Sequence, residues 1–468
     1  MNDFVRHRVE RPGPGTEVTV VGLAKSGRAA AEWLLKLGCI VRVTESACTP
    51  PLEVAAKQLS AAGASVELGG HSRRMMEHSR LIVVSPGVPL ESKPVQWGRE
   101  SGIPIVGELE LGSWYCSGRI VAVTGSNGKS TVVTLLGEIL ARAGKEAVVC
   151  GNIGAPLTGF LDRIRRSTIV VLEVSSFQLE QTLSFQPSVG CVLNVTDNHF
   201  DRHGSLQEYR AAKGRLFAFQ SAGDWALLNA DDAGSRSYTG GIRAKRVFYS
   251  RSKKTEGAFL SGDSLLLNLP ELTGEICRSR EMGLRGPHHE ENALAAACLA
   301  GVLGVPAPVS GEVIRNFKGL PHRQQPVGVF CGVTFINDSK CTTVAAGLKA
   351  IEAAQGSVVL IAGGIDKGSD FRLVRKLKQK LKAAVLIGRD GPKIASALKG
   401  AVTCRTAENL SDAIRTASRL AGEGDCVLLS PMCTSFDMFR DFEDRGEQFE
   451  RLVHSMVQEE SQPVQEAR

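Results

Sequence analysis

The stretch Val121-Ala122-Val123-Thr124-Gly125-Ser126-Asn127-Gly128-Lys129-Ser130-Thr131 decides how the chain is read. An apolar run stops at a glycine turn, and a helical pattern begins after it at Val132, Val133, Leu135, Leu136, Ile139 and Leu140. A buried strand, a tight loop and a helix start direct backbone N–H groups and a helix N-terminus into one concavity, which favours phosphate. Lys129 would then reach the terminal phosphates of a nucleotide, and the Ser130 hydroxyl would hold Mg²⁺. The spacing departs from GxxxxGK[ST], because position 123 is Val; the pattern is Gly-x-x-Gly-Lys-Ser. Alone, it could also be an ordinary strand-to-helix turn with an exposed lysine; the strand before and the helix after favour phosphate.

Outward from this loop, 468 residues suffice for about two to four domains, each with its own core. With 43% hydrophobic and 22% charged residues the composition is that of a globular protein, and no apolar run is long enough to span a bilayer. Residues 1–16 carry Arg6, His7, Arg8 and Arg11 with Pro and Gly breakers but no apolar signal core, so they read as a disordered leader and the protein as cytoplasmic. Twelve cysteines without a CxxC pair read as small buried hydrophobes. The net charge of +7 is spread out, with no basic stripe interleaved with aromatics, which suits anionic small molecules rather than nucleic acid.

Three α/β segments succeed one another. In 17–117, Val18–Val21 runs into a glycine turn at 22–27, Ile40–Val43 ends at Glu45-Ser46, and Leu81–Val84 ends in Ser85-Pro86-Gly87. This is a Rossmann-like pattern with an incomplete dinucleotide fingerprint, since position 24 is Ala. It favours a nucleotide-sugar, or no ligand, over NAD. In 118–321 the phosphate loop heads a P-loop-type ATPase segment with a mostly parallel sheet. There Ile169–Leu172 is a buried strand ending at Glu173, a place suited to Mg²⁺ or its water, and His199 lies in a polar loop. His288-His289 resembles a metal pair, but neighbours on a helix do not share a face, and capping is preferred. In 322–457, after the joint Leu320-Pro321-His322-Arg323, a second Rossmann-like segment has four strands ending in polar loops: 337–340, 362–367, 388–390 and 430–437. A tail, 458–468, is expected to be disordered. A phosphate loop with two flanking α/β domains suits a three-ligand synthetase, in which phosphoryl transfer to a carboxylate makes a reactive acyl phosphate.

The stretches TGSNGKST (124–131), GNIG (151–154), EVSSFQLE (173–180), NVTDNHFDRHGS (194–205), YRAAKGRLF (209–217), LNADD (228–232), GLPHR (319–323), NDSK (337–340), LLSPMCTSFDMF (428–439) and FEDRG (442–446) resemble the Mur ligases, in family order over nearly the whole chain. The resemblance is strongest to the branch that adds D-glutamate. It implies ATP, Mg²⁺ at two sites and CO₂ as a lysine carbamate. It implies UDP-MurNAc-L-alanine and D-glutamate as substrates, peptidoglycan-precursor synthesis and a monomer. Residue by residue, Gly125, Ser126, Asn127, Gly128, Lys129, Ser130 and Thr131 would hold ATP phosphate, with Asn292, Arg323, Asp338 and Lys340 as further ATP contacts. Ser130, Glu173, His199 and carbamylated Lys213 would serve the metals, and Lys129, Glu173, His199 and Lys213 the chemistry. Lys25, Ser26, Glu45, Ser46, Ser85 and Asn152 would bind the UDP-sugar, and Thr342, Lys367, Ser435 and Phe442 the D-glutamate. His289 stands where the family usually has Asn, Asn198 replaces an acidic residue, and Cys341 and Thr343 alter the loop after NDSK.

Other readings stay open on the residues alone. The chain could be another member of the superfamily, such as a folylpolyglutamate synthetase or the L-alanine-adding ligase, against which the 428–439 stretch argues. It could be an NTP-binding regulator, which would not need His199 and Lys213. It could be an oxidoreductase built on the glycine turn at 22–27. Lys213 could be a plain surface lysine.

Overall fold

The computed structural model describes residues 9–196, 204–366 and 368–461, with side chains described to residue 456. The chain forms two compact units, Met1–Phe317 and Lys318–Arg468.

The first unit carries two sheets. Strands β1 (Glu17–Val21), β2 (Ile40–Glu45), β3 (Ser65–Leu68), β4 (Leu81–Val84) and β5 (Ile105–Gly107) form a parallel sheet in the order β3-β2-β1-β4-β5. Val18, Val20, Val21 and all of β4 are buried, as continuous apolar runs covered on both faces must be. Strand order reverses between β1 and β4, so the carboxyl ends of these two open the crevice where an α/β sheet takes ligands.

The helix Glu108–Tyr115 leads to the second sheet and buries two carboxylates. Glu108 accepts from the Thr158 N–H at 2.7 Å and its hydroxyl at 2.8 Å, and Glu110 accepts from the Trp114 indole, the Leu183 N–H and the Ser184 N–H. Buried carboxylates need such partners, and here the partners lie in segments that pack beside the second sheet. That sheet comprises β6 (Arg119–Thr124), β7 (Ala147–Gly151), β8 (Ile169–Glu173), β9 (Val189–Val192), β10 (Trp225–Asn229), β11 (Lys245–Ser250), β12 (Gly257–Ser261), β13 (Ser264–Leu269) and β14 (Leu272–Arg278). The order is β14-β13-β12-β11-β10-β9-β6-β8-β7, parallel from β12 to β7, with β13 and β14 antiparallel at one edge. Strand β6 lies between β8 and β9, so the loop at its carboxyl end is flanked by Glu173 on one side and residues 193–196 on the other.

The second unit has one sheet, β15 (Gln325–Phe330), β16 (Val333–Asn337), β17 (Val358–Gly363), β18 (Leu381–Ile387), β19 (Cys404–Thr406) and β20 (Cys426–Leu429), ordered β15-β16-β20-β17-β18-β19 and parallel except for β15. The loops after β16, β17, β18 and β20 therefore share one sheet end.

Two expectations need correction. Part of the supposed leader is tied down: the Tyr115 hydroxyl donates to the Pro12 carbonyl, the Cys39 thiol to the Gly13 carbonyl, and the Gly15 N–H to the Gly38 carbonyl at 2.8 Å. Those contacts come from residues distant in sequence, which a local composition cannot reveal. The last helix, Phe442–Ser461, also runs past the expected start of the tail at 458. All twelve cysteines are free thiols, most of them buried. Among the described residues no helix is long and apolar enough to cross a membrane.

Candidate active site

The phosphate loop forms as its residues dictate. The helix Lys129–Arg142 starts at Gly128, whose φ of 83° suits glycine, and no side chain caps its first turn. A Cβ at Gly128 would lie 2.4 Å from Asn292 Oδ1, so this glycine also admits Asn292 against the loop. Asn194, after β9, laces the loop from outside: its Oδ1 accepts from the Asn127 N–H at 2.9 Å and its carbonyl from the Ser126 N–H at 3.0 Å. Lys129 Nζ donates to the Gly125 carbonyl at 2.8 Å and the Ser126 carbonyl at 3.3 Å. Ser130 and Thr131 are buried at the helix start.

Two groups converge on this loop from neighbouring elements. At the end of β8, Glu173 is buried; its Oε1 accepts from Asn152 Nδ2 at 2.8 Å, and among the described residues its buried Oε2 has no hydrogen-bond partner. A bare carboxylate oxygen beside a phosphate loop is the donor chemistry Mg²⁺ takes. The expected UDP-sugar residue Asn152 is thus joined to the expected metal residue Glu173. Lys213 is no surface lysine. On the helix Leu206–Gly214 it is 1% exposed, and its Nζ donates to the same Gly125 carbonyl at 3.2 Å and to Thr124 Oγ1 at 3.4 Å. The Tyr209 ring lies 4.3 Å from this nitrogen, and the Tyr209 hydroxyl reaches Ser126 Oγ at 3.3 Å. Burial, and then the Lys129 charge, push the Lys213 amine down to about 6, which favours the uncharged form with a free lone pair. His199 and the altered neighbour Asn198 lie outside the described residues. Among the described residues no group of three His, Cys, Asp or Glu side chains gathers to hold a metal.

Asn292 and His289 share the helix Pro287–Val302, which begins earlier than its alanine-rich stretch 293–300 suggests, because Pro287 is preset for a first helical position. With Thr131, Leu135, Ile314 and Phe317 they line a small recess beside the phosphate loop. Burial, and then His288, push His289 down to about 4, and among the described residues its buried Nδ1 has no partner. A neutral ring with one bare nitrogen replaces the amide expected there.

The first sheet carries the five remaining expected UDP-sugar residues at its crevice. Glu45 accepts from the Leu23 N–H at 2.8 Å and the Ala47 N–H at 2.9 Å, and Ser46 Oγ donates to it at 3.0 Å. Burial pulls the Glu45 carboxyl up, but these bonds and His71 outweigh it and hold it below the usual range. Ser85 Oγ donates to the Gly22 carbonyl at 3.1 Å. Lys25 and Ser26 open the helix Lys25–Lys36. A Cβ at Gly27 would sit 1.8 Å from the Gly22 carbonyl oxygen and 2.7 Å from Ser85 Oγ. Gly27→Ala is therefore expected to cost about 1–3 kcal/mol of stability and to weaken selectively the ligand expected in this crevice. Thermal melts together with the KM of each substrate check it; equal changes in every KM would contradict a local crevice effect.

In the second unit, Asp338 is buried after β16 and accepts from the Gln324 N–H at 3.1 Å and Ser430 Oγ at 3.1 Å. Burial pushes it up to about 6, against the pull of those bonds and of Arg323. Lys340 Nζ lies 5.6 Å from the Phe442 ring, and its N–H donates to the His322 carbonyl. Thr342 is half-buried, Ser435 is buried, and the 430–436 loop is clasped to β17's end by an Ile365–Thr434 bridge. Lys367 lies outside the described residues. The altered Thr343 is an N-cap, its hydroxyl accepting from the Ala346 N–H at 3.3 Å, and Cys341 packs in the core. Because Asp338 binds its proton more tightly folded than unfolded, stability falls as pH rises from about 4 to about 6 and stays lower above. Asp338→Asn is expected to flatten that limb, worth roughly 3 kcal/mol at most, while raising the KM for nucleotide. Denaturant midpoints across pH 3.5–7 test the first part.

Sequence reading missed Asn194 and Tyr209 as loop partners, the buried pair Glu108 and Glu110, and the job of FEDRG. In that last stretch Arg445 is fully buried, and a Cβ at Gly446 would lie 2.2 Å from His322 Nδ1. Only the oddity of an Arg and a Gly inside a helical pattern could have drawn notice to them.

Known proteins resemble nearly the whole chain. The family model of a Mur ligase MurD-like N-terminal domain matches residues 16–107, that of the Mur ligase middle domain 123–300, and that of the Mur ligase glutamate ligase domain 322–433. The UDP-N-acetylmuramoylalanine--D-glutamate ligase of Pelotomaculum thermopropionicum is 43% identical over 460 residues, 97% of this chain and 99% of that protein. The ligase of the same name from Acidobacterium capsulatum is 42% identical over 443 residues, 94% and 96% of the two chains. Among solved structures, the UDP-N-acetylmuramate-alanine ligase MurC of Thermotoga maritima aligns with a TM-score of 0.57 at 18% identity, over 94% of this chain and 99% of that one. MurF of Acinetobacter baumannii aligns with a TM-score of 0.54 at 17% identity, over 94% and 93%. These two alignments speak to the three-domain α/β fold.

Proposed function

The chain belongs to the Mur ligase family, and from that membership we infer that it is an ATP-dependent ligase joining D-glutamate to UDP-N-acetylmuramoyl-L-alanine in peptidoglycan-precursor synthesis. The carrying observation is the convergence on one phosphate loop of a bare, buried carboxylate oxygen at Glu173 and a buried amine at Lys213. It occurs in a chain alike from end to end to ligases named for D-glutamate addition.

In this reading the carboxylate of UDP-MurNAc-L-alanine takes the γ-phosphoryl group of ATP, releasing ADP. The amine of D-glutamate then attacks the acyl phosphate, and phosphate leaves as the amide forms. Lys129 and the N–H groups at the start of its helix offset charge on the transferred group. Glu173, with His199 and the carbamate of Lys213, would hold Mg²⁺, which supplies charge neutralisation at the phosphates when bound. Carbamylation suits a neutral amine: its lone pair attacks CO₂, a proton is lost, and an anionic oxygen ligand replaces a would-be cation. Lys25, Ser26, Glu45, Ser46, Ser85 and Asn152 take the UDP-sugar. Asn292, Arg323, Asp338 and Lys340 serve ATP, and Thr342, Lys367, Ser435 and Phe442 serve D-glutamate. The enzyme works as a cytoplasmic monomer.

The test is phosphate release with UDP-MurNAc-L-alanine and a panel of amino acids. Turnover is expected only with D-glutamate. ATP turnover in the absence of glutamate, or equal turnover with L-glutamate, would overturn the reading.

A further inference from the structure

The helix Phe442–Ser461 inserts one cation into the second unit where, among the described residues, no acid bonds to it. Arg445 is 0% exposed. Its Nε donates to Ser339 Oγ at 2.9 Å, one terminal nitrogen to the Ser339 carbonyl at 2.8 Å, and both terminal nitrogens to the Cys433 carbonyl at 3.3 Å. Every one of these partners is a neutral oxygen. Asp437 acts on the guanidinium through space, but its carboxylate is engaged with the Arg389 N–H at 2.8 Å. Burial lowers the guanidinium's affinity for its proton, to about 10, so it remains charged near neutrality. A buried charge with no acid bonded directly to it is costly.

What it holds is specific. Ser339 lies between Asp338 and Lys340 and passes the contact on, its hydroxyl donating to the Phe442 carbonyl at 2.8 Å. Cys433 lies two residues before Ser435 in the 430–436 loop. One planar fork thus fixes the loop after β16, the loop after β20 and the start of its own helix. Those are the three segments that carry Thr342, Ser435 and Phe442.

We propose that Arg445 is a positioning residue for the acceptor amino acid: its buried guanidinium locks the 337–342 and 430–436 loops and the Phe442 end of the last helix into one arrangement. The proposal rests on the ligase reading above. It requires the fork as well as the charge, because a lysine ammonium cannot span Ser339 and Cys433 in one plane.

The test is steady-state kinetics with each substrate varied in turn. Arg445→Met is expected to raise the KM for D-glutamate by about tenfold or more while leaving the KM for UDP-MurNAc-L-alanine, bound on the first unit, within about twofold. Arg445→Lys, which keeps the charge, and Ser339→Ala, which removes the hydroxyl relay, are expected to show the same split to a smaller degree. Wild-type dependence on D-glutamate is the control: its absence would refute the ligase reading itself. If the wild type passes, an unchanged D-glutamate KM in a folded Arg445→Met, or all KM values moving together with the melting temperature, would overturn the positioning role. Should Arg445→Met not fold, Arg445→Lys decides alone: a raised D-glutamate KM supports the role and a wild-type value overturns it.

Discussion

Lys213→Ala is expected to lower ligase turnover by about 10³-fold, without rescue by added bicarbonate. The side chain is 1% exposed, shares the Gly125 carbonyl with Lys129, and faces the Tyr209 ring. Alanine leaves that space unfilled and offers no nitrogen for CO₂. Turnover near the wild-type rate would remove Lys213 from the chemistry. The same residue makes a prediction about stability. Its amine, at about 6 folded against an ordinary 10.5, binds fewer protons in the native state between those values. Stability therefore rises with pH from about 6 to about 10.5, and the burden is fully present below about 6. At pH 7 it is on the order of 5 kcal/mol. Lys213→Met, which fills the space without titrating, is expected to unfold at a higher denaturant concentration at pH 7, with the gap closing towards pH 10. A gap independent of pH would show that Lys213 is not held neutral.

Glu173→Gln is the second large effect. The substitution keeps size and keeps an acceptor for Asn152 Nδ2, so the fold is expected to hold. It replaces the bare Oε2 with an NH₂ group that repels a cation where the carboxylate would attract one. Turnover is expected to fall by about 10²–10³-fold, with the Mg²⁺ concentration for half-maximal rate raised. Because Asn152 is expected at the UDP-sugar and bonds to Glu173, Asn152→Ala should raise the KM for UDP-MurNAc-L-alanine and also shift the Mg²⁺ requirement. An Asn152→Ala enzyme with an unchanged Mg²⁺ dependence would uncouple the two.

The strand-ending loops were legible from sequence because their signals are local. Val121–Thr131 announces a strand, a turn and a helix within eleven residues, Val18–Gly27 a strand and a glycine turn, and Ile169–Glu173 a buried strand ending in an acid. The edge hairpin β13–β14 and the two buried carboxylates Glu108 and Glu110 were not legible. A glutamate in a helix ordinarily faces water, and what buries these two comes from residues 158 and 183–184, some fifty to seventy-four positions away.

The order of motifs along the chain was enough to determine the family, the three α/β segments and the residue types at each strand end, since those arise from short-range pattern and spacing. Tertiary structure alone decided the electrostatic state of the site. The Lys213 amine is pushed towards its uncharged form because β6, its loop and the helix Leu206–Gly214 exclude water around it and bring Lys129 alongside. Among the described residues, Asn152, just after β7, is the one side chain that bonds to Glu173, and the other carboxylate oxygen stays bare. Arg445 became a clamp because three segments more than a hundred residues apart at their extremes meet at its fork. Desolvation and proximity are properties of the packed chain, and no window of sequence contains them.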